Sequence, residues 1–342
     1  MQAIRKFLMG IKNPAAIPSA VKQSVNRYIP HNVGIQGSYR TGNIGDRALG
    51  EIFKSNLETD GYRTYLFDKN VQQSNAPNRI LGGGGVLHDW YGTEHLRKRL
   101  NYVTSGERGF IIGVGAPGFH SEKACSLISE MLPQMEIITV RDERAKNNIQ
   151  RVCDVDVTVT ACPVFLYDDP ALEPTEQTGV NFRPYFDEKE DLSDEILKDY
   201  FGYEDLEDAT QKYITTAQRI CDKLDNPLFI PFHNDDEAFA RKHLDIPVFE
   251  HKISVSRTLK KVSQMKRMVT TRYHSLIFAA ICDKPVLPLA YEPKVEAVAD
   301  RLDLPWYKPH KDVPFEFTPV SNVDTIRSAA QQNMKLLSDR LQ

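Results

Sequence analysis

The sequence predicts an α/β protein of two doubly wound domains facing a cleft, and three observations carry this. Short β-rich runs alternate with helical patterns along most of the chain. A polar, proline-bearing stretch at 167–178 (YDDPALEPTEQT) interrupts the alternation, which then begins again. The chain has 342 residues, enough for two domains with substantial cores. The expected layout is a basic segment over 1–31, a first Rossmann-like domain over 32–168, a second over 178–322, and a closing helix over 323–342.

In the first domain, Val33–Tyr39 reads as a strand leading into TGNIGDRALGEIFKSNL, where Asn43 or Asp46 can cap a helix that buries Ala48, Leu49, Ile52 and Phe53. Arg63–Asp68 is a second strand. Arg79–Leu87 (RILGGGGVL) is a third and opens into a four-glycine turn. Glycines there, Gly83 and Gly84 among them, either let the backbone approach a ligand or supply positive φ. Gly109–Val114, Glu136–Val140 and Val155–Thr160 complete the set, and Arg141 stands at the end of the fifth strand. Neither glycine cluster has the GxGxxG or GxxxxGKS spacing, which disfavours a nicotinamide or ATP site.

In the second domain, Gly179–Arg183 (GVNFR) restarts the pattern. An acidic segment at Asp187–Asp208 leads to a helix holding Tyr213, Ala217, Ile220 and Leu224. Pro227–Phe232 is a strand ending at His233, with Asp235 and Asp236 beyond it; a capped helix start explains this better than a metal site, since the spacing matches no ligand pattern. Pro247–Glu250 reads as a short strand and Ser254–Gln264 as a basic helix. The informative stretch is Met268–Lys294, MVTTRYHSLIFAAICDKPVLPLAYEPK: a strand, a helix and a second buried strand. It places Arg272, Tyr273 and His274 at the turn from strand to helix. Ligands of open α/β sheets bind at carboxyl ends of strands, where a helix N-terminus attracts anions. A permanent cation two residues from a titratable imidazole suggests an anionic substrate needing acid–base help; the plainer alternative is a surface Arg and a capping His. A helix from about Glu292 to Leu302, a Pro/aromatic loop at Pro305–Phe317 with Trp306 and Tyr307 able to border the cleft, and a helix from about Val323 to Leu341 finish the chain.

Charged residues make up 26% and the net charge is −3, which argues against bulk attraction to nucleic acid. The five cysteines are scattered without metal-ligand spacing and fit a reducing compartment. No apolar run approaches the roughly 20 residues needed to span a bilayer, so a cytoplasmic protein is expected. Residues 1–30 hold five bases and no acid, leaving −8 on the remainder. Ile4, Phe7, Leu8 and Ile11 share one helical face there, which suits peripheral contact with an anionic membrane; packing on the body or a frayed end is the plainer reading.

Taken together, GNIGD at Gly42–Asp46, the glycine turn at Gly82–Gly85, VRDERA at Val140–Ala145, TRYHSLIFAA at Thr271–Ala280 and PVLPLAYEPK at Pro285–Lys294 resemble the polysaccharide pyruvyl transferases. The resemblance runs from about residue 33 to 305. It implies a GT-B-like fold and transfer of a pyruvyl group from phosphoenolpyruvate to a sugar or glycan, commonly as a cyclic ketal. The acceptor is free or lipid-linked. Phosphoenolpyruvate is then a co-substrate, with no cofactor or metal. By the resemblance His274 is the donor-site histidine, as general acid or phosphate holder. Arg272 and Arg141 hold carboxylate and phosphate, assisted by Tyr273 and Lys294; the planar fork of Arg suits both anions.

The acceptor side is assigned to Asn43, Asp46, Gly83, Gly84, His88, Asp89 and His233. Asp46 either accepts a proton from a sugar hydroxyl or caps its helix, and Trp90 either meets a sugar face or fills core. Members of the family often carry Asp where this chain has Cys162 in Ala161-Cys162-Pro163, and Ser where it has Ala145. Cys162 is expected to be a buried structural residue, with no base near it in sequence. The rival readings are a nucleotide-sugar glycosyltransferase, for which Glu292 and Asp300 have suitable spacing, and a non-catalytic glycan-binding or assembly protein.

Overall fold

The computed structural model describes residues 31–184, 202 and 205–342. The basic segment 1–30 and most of the acidic segment before the Tyr213 helix lie outside the described residues.

The first lobe is a six-stranded sheet of order β2-β1-β3-β4-β5-β6. Its strands are β1 (Val33–Gly37), β2 (Thr64–Asp68), β3 (Asn78–Gly85), β4 (Arg108–Gly115), β5 (Ile137–Val140) and β6 (Thr158–Val159), every pair parallel. Helices α1 (Ile44–Thr59), α2 (Thr93–Thr104), α3 (Glu122–Met131) and α4 (Glu143–Gln150) alternate with them. Strand β4, RGFIIGVG, is buried along nearly all its length because both sheet faces are covered, which explains its unbroken apolar run.

The second lobe has strands β7 (Thr178–Asn181), β8 (Pro227–Phe229), β9 (Arg267–Thr270) and β10 (Val286–Pro288) in the parallel order β10-β9-β7-β8. Its helices are α5 (Leu206–Asp222), α6 (Asn234–His243), α7 (Val255–Ser263), α8 (Tyr273–Ile281) and α9 (Pro293–Arg301). The strand expected at Pro247–Glu250 is reduced to one bridge, Val248 with Phe229, at the sheet edge. Helix α10 (Val323–Leu341) crosses back to the first lobe.

Strand order reverses once in each sheet. The chain leaves β1 for β2 on one side and returns as β3 on the other; likewise it leaves β7 for β8 and returns as β9. Crevices form at the carboxyl ends of strands flanking such a reversal. Here the two crevices face each other.

Helix α1 joins the lobes. Asn43 caps it, its Oδ1 accepting from the backbone N of Gly45 (2.9 Å) and Asp46 (3.3 Å). Gly61, at φ +88, closes it as a Schellman turn, with Tyr62 N donating to Leu57 O at 2.9 Å. Its apolar face (Ile44, Leu49, Ile52, Phe53) belongs to one core cluster with Phe232, Leu276 and Phe278 of the second lobe. Three hydrogen bonds clamp its start to that lobe: Ile44 N to Phe232 O (2.9 Å), His233 Nε2 to Thr41 O (3.0 Å) and His251 Nε2 to Gly42 O (3.1 Å).

Helix α10 docks through Asn333, which is fully buried. Its Oδ1 accepts from the hydroxyls of Thr139 (2.6 Å) and Thr160 (2.7 Å), and its Nδ2 donates to Ala161 O (2.9 Å). Among the described residues no helix is long and apolar enough to cross a membrane.

Asn333→Ala is expected to cost about 1–3 kcal/mol by leaving buried partners unmatched. Exposed Gln332→Ala should stay within about 0.5 kcal/mol of the parent. Equal denaturation midpoints for the two variants would contradict this account of how α10 docks.

Candidate active site

The facing crevices enclose a cavity of about 310 Å³. The first lobe supplies Asn43 and Asp46 after β1, Gly84 and Gly85 at the end of β3, His88 beyond it and Arg141 after β5. From the second lobe come Arg183 after β7, Arg272, Tyr273 and His274 after β9, and Tyr291, Glu292 and Lys294 after β10.

Arg272 is held by a fully buried carboxylate. Asp236, in the first turn of α6, takes Arg272 Nε at 2.7 and 2.9 Å and Nη2 at 2.5 Å. The same carboxylate accepts from Phe232 N (2.9 Å) and Asn181 Nδ2 (3.2 Å), so its lone pairs are matched despite the burial. Asn181 Oδ1 in turn accepts from Arg272 N at 3.2 Å. This fork–fork pair fixes the guanidinium and, among the described residues, leaves Nη1 as the edge available to a ligand.

Arg141 crosses between the lobes. Its guanidinium carbon lies 4.3 Å from the centroid of the Tyr273 ring, a cation–π contact in a desolvated setting. It also lies against Gly115, where an added Cβ would fall 2.6 Å from Nη2, so the sheet must be bare at that point. Arg301 anchors the Arg141 backbone from α9, donating to Arg141 O at 2.8 Å and Thr160 O at 2.6 Å.

Lys294 and Arg183 share Glu292. Lys294 Nζ contacts Glu292 Oε2, and Arg183 Nη1 lies 3.5 Å from Glu292 Oε1. Burial pulls the Lys294 ammonium below its usual range, with Glu292 acting against the pull and Arg183 and Arg141 adding to it.

His274 sits in the first turn of α8, a helix start that no side chain caps and that lies at the cavity. Its Nε2 is 3.7 Å from Cys162 Sγ, and its Nδ1 side lies over Gly45, where a Cβ would fall 1.8 Å away. Burial lowers its pKa well below the usual range, and Arg141, Lys294 and Arg272 push the same way. Both effects favour the neutral imidazole.

Burial raises the pKa of Asp46, against the opposing pull of Lys294, Arg272, Arg183 and Arg141. His88 is neutral as well, pushed down to about 3 by burial and by Arg99. Its Nδ1 accepts from Trp90 N at 3.3 Å, and its ring lies 4.9 Å from Trp90 and 5.7 Å from Tyr91. Trp90 both lines the cavity and packs on the core, so its two readings meet in one residue.

The expected set converges with three exceptions. Asp89 ties down the start of α3, accepting from His120 N (3.0 Å), Ser121 N (2.9 Å) and Ser121 Oγ (2.7 Å). Gly83, at φ +66, leaves room for Leu49 beneath the turn, while Gly84 lines the cavity. His233 caps α6 and spends Nε2 on Thr41, outside the lining. Trp306 is likewise outside it, donating to Asp300 at 2.8 Å. Glu292 and Asp300 are thus each engaged within the protein.

Sequence reasoning missed Arg183, Tyr291 and Lys69 as cavity residues, and Asp236 as the anchor of Arg272. The signal for Arg183 was its place at a strand end, as for Arg141 and Arg272. Cys162 is buried in the core, as expected, and no base stands near it in sequence; His274, 112 residues away, comes within 3.7 Å of its Sγ.

A family model for polysaccharide pyruvyl transferase matches residues 43–293, most of the chain and nearly all of this cavity. The chain belongs to the polysaccharide pyruvyl transferase family. No curated protein matches the sequence. Among solved structures it is similar to a UDP-GlcNAc 2-epimerase of Methanocaldococcus jannaschii solved with UDP-GlcNAc and UDP, at 9% identity and TM-score 0.50, over 91% of this chain and 99% of that one. It is also similar to a functionally uncharacterised protein of Klebsiella pneumoniae subsp. pneumoniae, at 16% identity and TM-score 0.47, over 82% and 90%. The epimerase likeness speaks to the fold alone: parallel-sheet lobes in a GT-B-like arrangement.

Asp236→Asn keeps the volume but removes the charge that orients Arg272. It should weaken binding of phosphate-bearing ligands by on the order of tenfold or more, while Asp235→Asn, at an exposed neighbour, should not. Calorimetric titration of both variants checks this, and equal affinities would contradict it.

Proposed function

We propose that this family member transfers the pyruvyl group of phosphoenolpyruvate to two hydroxyls of a sugar in a polysaccharide or glycan precursor, giving a ketal and releasing phosphate. One observation supports this most: Arg141, Arg183, Arg272 and Lys294, drawn from both lobes, line a single cavity beside an uncharged imidazole and an uncapped helix start. So many cationic side chains around one small cleft suit a donor carrying both a carboxylate and a phosphate.

In this reading Arg272 and Arg141 grip the two anionic groups from opposite sides, and Lys294 and the N-terminal amides of α8 complete the cradle. A sugar hydroxyl attacks the enol carbon while His274, charged once the donor is present, delivers its proton to the methylene carbon, which becomes a methyl group. Asp46 takes the hydroxyl proton; burial raises its pKa and makes it a better base than an ordinary carboxylate, while the surrounding cations oppose that rise. The C–O bond to phosphate then breaks, and the cations stabilise the leaving anion. The second hydroxyl closes on the oxocarbenium carbon and gives up its proton. Two hydroxyls and one phosphoenolpyruvate yield one ketal and one phosphate, and no hydride moves. Trp90 and Tyr91, at the first-lobe side of the cavity, offer flat surfaces to the acceptor sugar.

Incubation with phosphoenolpyruvate and a panel of nucleotide- and lipid-linked glycans, followed by mass spectrometry, should reveal pyruvyl addition matched by phosphate release. His274→Ala should lower the rate by about 10²–10⁴, the usual range for a lost general acid. Arg141→Ala should chiefly weaken donor binding. Full activity in both variants, or turnover of a nucleotide sugar in place of phosphoenolpyruvate, would overturn the proposal.

A further inference from the structure

Both ring nitrogens of His274 meet the other lobe. On its Nδ1 side is the backbone of Gly45, and on its Nε2 side the thiol of Cys162 at 3.7 Å. Cys162 is 2% exposed and packs in the interlobe core, so it is neither a nucleophile for a substrate nor open to solvent oxidants. Its thiol is uncharged: burial pushes the pKa up to about 11, even with Arg141 acting to lower it.

Every charged element packed around this imidazole has a definite sign. The end of β5 brings Arg141, the start of α9 brings Lys294, and α8 itself begins at Arg272. Tyr273 lies edge-on to the ring at 5.1 Å and is neutral. Asp46, one residue beyond Gly45, is the acid on the first-lobe side, and it is itself drawn toward these same cations. Among the described residues, nothing in direct contact with either ring nitrogen therefore supplies the negative charge that an imidazolium needs. A carboxylate at the place of the thiol would supply it permanently; a thiol cannot.

We infer that Cys162, a neutral thiol against Nε2 where a carboxylate would charge the ring, is a positioning residue that leaves His274 uncharged until an anionic donor fills the cavity, so that donor and proton enter together. The inference rests on the donor reading given above and adds to it an order of events. The empty enzyme carries no acid at this position, and a proton arrives from solvent when the donor phosphate and carboxylate reverse the local potential. The same proton is then delivered to the methylene carbon, and His274 returns to its neutral form when phosphate leaves. One consequence is that the acid is armed only when there is something to protonate.

Calorimetric titration of the whole protein with phosphoenolpyruvate, in two buffers of different ionisation enthalpy at about pH 7.5, reads the proton count directly. The expected result is an uptake of roughly one proton per donor bound, with affinity falling as pH rises. Cys162→Ser keeps a neutral partner and should keep the uptake. Cys162→Asp places a carboxylate against Nε2, charges the ring beforehand and should reduce the uptake toward zero. Donor binding without proton uptake in the parent protein, or uptake in Cys162→Asp equal to the parent, overturns the inference while leaving the donor reading intact. Absence of any binding heat, with no protection of the protein against thermal unfolding by phosphoenolpyruvate, overturns both.

Discussion

Five cations line one small cavity and repel one another, and the structure ties down four of them, Arg141, Arg183, Arg272 and Lys294. Arg272 is locked to Asp236, Arg183 and Lys294 share Glu292, and Arg141 lies on the Tyr273 ring with Asp142 3.6 Å from its Nε. All four still line the cavity. Arg272 uses two of its nitrogens on Asp236, and Arg141 also stacks on an aromatic face. A preorganised positive site of this kind needs little reorganisation when an anion arrives, the condition under which electrostatic stabilisation is most effective.

The lobes share the work unequally. The second lobe brings Arg183, Arg272 and Lys294 with Glu292, and the first brings Arg141, Lys69, Asp46 and the neutral groups around His274. This division gives weight to the clamp at the start of α1. His233, His251 and the Phe232 carbonyl hold the segment that carries Thr41, Asn43 and Asp46 against the second lobe. Gly45 allows the closest approach, since any side chain there would strike His274. Helix α10 secures the opposite side of the first lobe, with Arg327 donating to Phe165 O (3.1 Å) and Tyr167 O (3.0 Å), just where the chain leaves that lobe.

The alternation of strands and helices was legible because fully buried parallel strands read as unbroken apolar runs, and RYH stood out as three polar-tipped residues where such a run ends. Arg141 was legible for the same reason. What escaped depends on sheet order. Arg183 faces the cavity because β7 lies beside β9, and nothing local in GVNFR specifies that neighbour. Asp236 looked like one acid among several at a helix start; only its burial beneath Arg272 separates it from exposed Asp235. His88 and Asp89 are adjacent in sequence yet diverge, one into the cavity and one onto α3. The pairing of Cys162 with His274 joins residues from different lobes and follows only from their docking.

The central claim is that cations from both lobes hold one small anion between them. A crystal structure with phosphoenolpyruvate bound tests it most directly. The account predicts one donor molecule within hydrogen-bond distance of Arg141 from the first lobe and of both Arg272 and Lys294 from the second, with the His274 ring beside its methylene carbon. A donor held by one lobe alone, or seated elsewhere with the Arg141 side chain turned away, would contradict it.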